Sequence, residues 1–156
     1  MSNSPEQRLI LFEVAGSAYA IPIADVIEVT DSASWAGVPG LPRSLAGVVN
    51  HHGDALPVLS REALFELAAE AALSAPENVL VLAPPGAETG RLGLPVDRVV
   101  GLADAPLGTP GGSGLVVERL PLRGRVVSVL DGRRLLARAT DWIDGVVDHQ
   151  AGSRAR

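Results

Sequence analysis

The sequence predicts a mainly β protein, a barrel or sandwich rather than a parallel sheet wrapped in helices. Three observations carry this. About nine short apolar runs are punctuated by Gly- and Pro-bearing turns, whereas only one stretch keeps a helical period. Hydrophobic residues are 47% of the chain but aromatics only 3%, so the apolar mass is Val, Leu, Ala and Ile, which suits strands and small-residue packing. The 156 residues suffice for one domain or two closely joined subdomains, which at this size bury roughly 68–70% of the unfolded surface.

The elements follow in order. Residues 9–14 form a largely buried strand, Gly16-Ser17 a turn, and 19–21 a second strand that meets Pro22. Residues 26–29 alternate as a third strand, and 32–42, rich in small residues and proline, are expected to be a loop. Residues 45–50 and 55–59 flank His51-His52-Gly53-Asp54 as a second hairpin, with Gly53 where the bend needs a positive φ. The spacing predicts one long helix from Ser60 to about Leu73: Ser60 caps it, Glu62 lies in its first turn, and Leu64, Leu67, Ala68 and Ala71 share a face. Ser74-Ala-Pro76 stops it.

Beyond the helix, 78–82, 91–94 and 96–102 are strands, with a turn at Pro84-Pro85-Gly86 and Pro95 confined to an edge or a break. Residues 103–114 are expected to be a Gly/Pro loop. Residues 115–120 and 125–130 form a last hairpin across 121–124, and Asp131 caps a short helix carrying Leu135 and Leu136. The two halves resemble each other: Pro57-Val-Leu-Ser60 and Val127-Ser-Val-Leu-Asp131 are each a strand running into a cap, as two similar β subdomains would leave. Residues 1–8 are expected to be disordered, the domain spans 9–140, and 141–156 form a partly disordered tail.

The chemistry is mostly exclusion. The chain has no cysteine, which removes disulfides, thiolate catalysis and Cys-ligated metals and fits a cytoplasmic location. All 13 basic residues are Arg, so there is no Walker A lysine and no Schiff base. A net charge of −5 with dispersed Arg offers no basic stripe for nucleic acid. The first eight residues hold no apolar core of a signal peptide, and no apolar run reaches about 18 residues, so export and membrane insertion are disfavoured.

His51 and His52 are the first candidates for a metal or a general base. Neighbours in a strand point to opposite faces, so the pair cannot chelate one ion unless a turn bends it. His149 stands alone towards the tail. The run Gly111-Gly-Ser-Gly114 lacks both the helix of a phosphate cradle and the spacing of a nucleophile elbow, and is expected to be a linker. Asp97, Asp104, Asp141 and Asp144 are assigned to solvated or capping roles. No catalytic residue, metal or cofactor is assigned. What remains is a Val- and Leu-rich body that lends grooves and sheet edges to partners.

Residues 9–136 resemble the CheW-like family, the adaptor domain of bacterial chemosensory arrays. Leu11-Phe12, Tyr19-Ala-Ile-Pro-Ile23 and Val26-Ile-Glu28-Val29 are similar to its opening; Val38-Pro39 to Leu41-Pro42, Leu45-Ala-Gly47-Val-Val-Asn50 and Gly53 to Leu59 to its middle; Leu94-Pro-Val96-Asp97-Arg-Val99 and Val127-Ser-Val-Leu-Asp131 to Leu135-Leu136 to its close. Each piece is short, and their shared order and spacing carry the likeness.

The resemblance implies two small five-stranded SH3-like β-barrel subdomains packed together, with one main helix and a short C-terminal helix. It also implies a non-enzymatic adaptor between the cytoplasmic tip of a chemoreceptor (a methyl-accepting chemotaxis protein) and a CheA-type histidine kinase, recruited to membrane-associated receptor arrays. Carried over by position, Ile23, Val26, Glu28, Val96 and Val99 line or rim the receptor groove, and Asn50, His52 and Gly53 belong to the kinase or receptor interface. Their alternative is ordinary strand core.

Three departures bear on the kinase interface. His52 stands where the family often has Arg, exchanging a permanent charge and a fork of donors for one donor and one acceptor. Glu62 stands where a basic residue is common, and the stretch between Leu102 and Leu115 is short enough to cost part of a subdomain. An adaptor that has lost or altered its kinase interface and binds mainly receptor is therefore the second expectation, and a small-ligand-binding β-barrel the third.

Overall fold

The apolar runs pair into two sheets. In a computed structural model, residues 5–31, 35–38, 40–41, 45–67, 75–108 and 114–142 are described. Their strands are β1 (Glu6–Val14), β2 (Ser17–Pro22), β3 (Val26–Asp31), β4 (Trp35–Gly37), β5 (Leu45–His51), β6 (Asp54–Leu59), β7 (Asn78–Leu82), β8 (Leu92–Val96), β9 (Arg98–Pro106), β10 (Val116–Leu122) and β11 (Arg125–Leu130). A 3-10 turn, Ile23–Asp25, precedes β3; helix α1 (Arg61–Leu64) follows β6, and α2, over 132–142, follows β11. One sheet runs β10-β11-β2-β1-β9 and the other β3-β7-β8-β6-β5-β4.

The two sheets repeat one plan with the chain cut at different points. In each, a hairpin (β5–β6 or β10–β11) ends in a strand that pairs in parallel with a neighbour (β6 with β8, β11 with β2). That neighbour belongs to an antiparallel pair (β7–β8 or β1–β2), and the pair carries one further antiparallel strand, β3 or β9. In each, the parallel-paired strand runs directly into a capped helix. Ser60 Oγ accepts the Ala63 N–H at 3.3 Å, and Asp131 Oδ1 accepts the Arg133 N–H at 2.9 Å. The likeness of Pro57–Ser60 to Val127–Asp131 marks this junction. The division is not first half against second, however: both chain ends build the five-stranded sheet and the middle builds the other.

Burial follows from this plan. Leu9 and Leu11 of β1 pack with Ala20, Ala105, Val127 and Val129 inside one sheet's curl. Val79 and Val81 of β7 pack with Val49, Leu56 and Val58 inside the other. The alternate residues, Ile10, Phe12 and Val14 from β1 and Leu80 and Leu82 from β7, meet in a third and larger core between the sheets, closed by Leu64, Leu135 and Ala139. Strands buried on both faces are apolar throughout rather than alternating, which explains the continuous run of residues 9–12.

Five expectations need correction. Glu6 to Arg8 belong to the domain and not to a disordered end, since they open β1 and pair with Asp104 to Pro106. Residues 32–42 are not all loop, since β4 pairs with β5. Gly47 permits this: a Cβ there would lie 2.2 Å from the Ala36 carbonyl oxygen. The long helix from Ser60 ends at Leu64, because Phe65 turns in to pack on the Tyr19 ring at 4.6 Å and Glu66 takes a positive φ of 54°; Ala68 and Ala71 lie outside the described residues. Residues 103–106 extend β9 along β1, pairing with Glu6 to Leu9. Pro95 sits in an interior strand of its sheet, two residues beyond Gly93, where β8 meets β6. The five-stranded sheet is complete despite the short stretch after Leu102.

Candidate partner-binding site

The strands β3 and β9 lie at the edge of their sheets and are equivalent residue for residue. Each carries a bulge, so that one residue is skipped in the register: Ile27 between Val26, opposite Leu82, and Glu28, opposite Val81; Val100 between Val99, opposite Phe12, and Gly101, opposite Leu11. Directly opposed residues share a sheet face. Val26, Val29, Val99 and Leu102, opposite Leu82, Leu80, Phe12 and Ile10, therefore all face the core between the sheets. Val26 and Val99 reach it and are half-buried. Val29 and Leu102 stay 41% and 46% exposed, and the bulged Ile27 and Val100 are exposed beside them.

Of the expected groove residues, Ile23 is exposed on the 3-10 turn, and Val26 and Val99 border the seam. Val96 does not: it is 0% exposed, inside a strand buried on both faces, and no partner can touch it. Glu28 points to the other face of β3. There it meets the β5–β6 turn, its Oε2 2.6 Å from His51 Nε2 and 3.6 Å from His52 Nε2. Glu28, expected at the receptor groove, and His52, expected at the kinase or receptor interface, are thus brought together. In the sheet order β3 and β5 are far apart, so this contact closes the curl.

The turn explains the pattern Asn50-His-His-Gly53. His52 and Gly53 have φ of 51° and 89°, the two-residue loop with both central residues left-handed that matches strand twist. The Gly53 N–H donates to Asn50 Oδ1 at 3.0 Å, so Asn50 holds the turn and His52 projects from it. The bend sets the two imidazoles 4.3 Å apart. This is the exception the sequence left open: a turn bends the pair, because His52 lies in the turn and not in the strand. In the other sheet Arg123-Gly124 forms the same turn, with φ of 50° and 77°, and the Arg123 guanidinium donates to the Leu102 carbonyl of β9.

Asp97 is not a solvated carboxylate. It sits where the chain crosses from β8 to β9 and pairs with the buried Arg61 of α1. Its Oδ2 accepts the Ala15 N–H at 2.9 Å, its own N–H donates to the Glu13 carbonyl at 2.9 Å, and its carbonyl accepts the Glu77 N–H at 3.0 Å. It therefore ties both sheets and α1 together. Asp104 pairs with Arg8 at 3.1 Å on the surface. Sequence reasoning missed Ile27, Val29, Val100 and Leu102; the paired motifs Val26-Ile-Glu-Val29 and Val99-Val-Gly-Leu102 were the available signal.

A family model described as CheW-like domain matches residues 8–140. Over 68 residues the chain is 32% identical to the chemotaxis protein CheW of Helicobacter pylori; that match covers 44% of this chain and 41% of the relative. The crystal structure of scaffolding protein TtCheW from Thermoanaerobacter tengcongensis superposes with a TM-score of 0.62 at 18% identity, covering 81% of this chain and 84% of that one. At that identity the likeness is one of fold. Among the described residues no helix is long and apolar enough to cross a membrane. With the family match spanning both sheets and α2, the chain belongs to the CheW-like domain family.

Proposed function

We propose that this chain couples the cytoplasmic tip of a chemoreceptor to a CheA-type histidine kinase, in the cytoplasm and at membrane-associated receptor arrays. The observation that carries the reading is the pair of bulged edge strands, β3 and β9, with Val29 and Leu102 exposed beside the apolar seam. An apolar strip of this kind accepts the apolar face of a helix, and a few central side chains supply most of such binding. Ile23, Val26, Val29 and Val99 form the receptor side. The turn Asn50–Gly53, held by the Gly53 N–H donating to Asn50 Oδ1, forms the kinase side.

The test is affinity for a receptor cytoplasmic fragment and for the kinase regulatory domain, measured side by side. Val29→Arg is expected to weaken receptor binding by at least about tenfold, the effect of losing a central apolar contact, with a native circular dichroism spectrum. Unchanged receptor affinity in Val29→Arg and Leu102→Arg alike would remove the seam from the interface. A second reading, an adaptor that keeps the receptor and has weakened the kinase, is favoured by His52 where its equivalent turn carries Arg123. It predicts that His52→Arg raises kinase affinity and leaves receptor affinity alone.

A further inference from the structure

Glu28, His51 and His52 place three ligand atoms within 4.8 Å of one another, contributed by two elements that are not neighbours in the sheet. We propose that they form a binding site for one divalent transition-metal ion of the zinc type, fixing β3 to the β5–β6 turn. Two imidazoles and a carboxylate are the donor set such an ion takes with one position left open. Metal–ligand bonds of about 2.0–2.2 Å set ligand atoms about 3.3 Å apart in a tetrahedron. The separations of Glu28 Oε2 from the two histidines, 2.6 and 3.6 Å, bracket that value.

Three further features point the same way. The His51 side chain is 9% exposed with its Nε2 at the cluster, whereas the His52 side chain is 78% exposed, with its Nε2 turned to the same carboxylate oxygen. His52 holds a left-handed conformation that usually goes to Asn or Gly at this turn position, and that conformation is what turns two consecutive imidazoles towards one carboxylate. The equivalent place in the other sheet has Gly101 opposite Arg123 and is closed by a guanidinium hydrogen bond, so the histidine pair is not a requirement of the fold. The proposal does not depend on which partner uses the turn.

Zinc chloride titrated into the tag-free full chain is expected to bind at one equivalent and to raise the thermal midpoint. His52→Ala and Glu28→Gln, both at exposed positions, are each expected to weaken binding at least about tenfold, and His149→Ala to leave it unchanged. Cobalt(II) in place of zinc should give visible d–d bands that either of the first two variants abolishes. Absence of saturable binding, or binding that survives in both His52→Ala and Glu28→Gln, would overturn the proposal. If one variant fails to fold, the other decides alone.

Discussion

Asp25 lies buried at the end of the 3-10 turn before β3, its Oδ2 accepting the Gly132 N–H at 3.2 Å. Burial raises its pKa above the usual carboxylate value, the Gly132 hydrogen bond lowers it, and the neighbouring Asp131 charge adds to the rise. The folded chain therefore holds this proton more tightly than the unfolded one. The group favours folding at acid pH, and that contribution is lost as pH rises through its raised value. Asp25→Asn keeps an acceptor and removes the titration, so its stability advantage over the parent should narrow between pH 7 and pH 4 in urea unfolding. An equal gap at both pH values would contradict this. Glu13 has the opposite sign: Arg98 first, and Arg125, hold its pKa down despite some burial, so its contribution is lost as pH falls. Gly132→Ala places a Cβ 2.5 Å from Asp25 Cβ and should cost about 1–3 kcal/mol by urea unfolding, the usual range for overpacking. None of this was legible in the sequence, because the two residues are 107 positions apart and only the fold brings them together. His52 shows the same limit: the turn at 51–54 was legible, the positive φ of His52 within it was not.

At the level of elements, Asp97 joins α1, the β1–β2 turn and the crossing between sheets. Asp97→Ala removes the carboxylate opposite the buried Arg61 guanidinium and should cost about 3–5 kcal/mol by urea unfolding, as breaking a buried ion pair does. A loss under about 1 kcal/mol would mean that the pair behaves as a surface one. Strand positions were legible wherever alternation or a continuous apolar run bounded by turn residues marked them, as at β7, β5–β6 and β10–β11. Helix α1 was overestimated because helical spacing continues past Leu64 while the aromatic contact of Phe65 with Tyr19 ends it. The family motifs named Val26, Val96 and Val99 alike and could not separate Val96, whose strand is buried on both faces, from the half-buried Val26 and Val99.

For the molecule as a whole, the core between the sheets draws side chains from both, so neither sheet can lose its packing alone. Trp35 packs in the six-stranded sheet and Trp142 against the shared core. Fluorescence of two single-tryptophan variants and far-ultraviolet circular dichroism should therefore report one coincident urea transition; two separated midpoints would show independent subdomains. The likeness of the two strand-to-cap junctions revealed the repeat in the sequence. It could not reveal that one copy is split between the chain ends, since pairing of β11 with β2 spans nearly the whole length. That split sets an order on synthesis. The middle sheet has all its strands once β8 has left the ribosome, whereas β1 and β2 emerge first and wait for β9, β10 and β11. Until then the run Leu9-Ile-Leu-Phe12, destined for burial on both sides, stays uncovered, which makes the nascent amino-terminal hairpin the stretch where a chaperone is most needed.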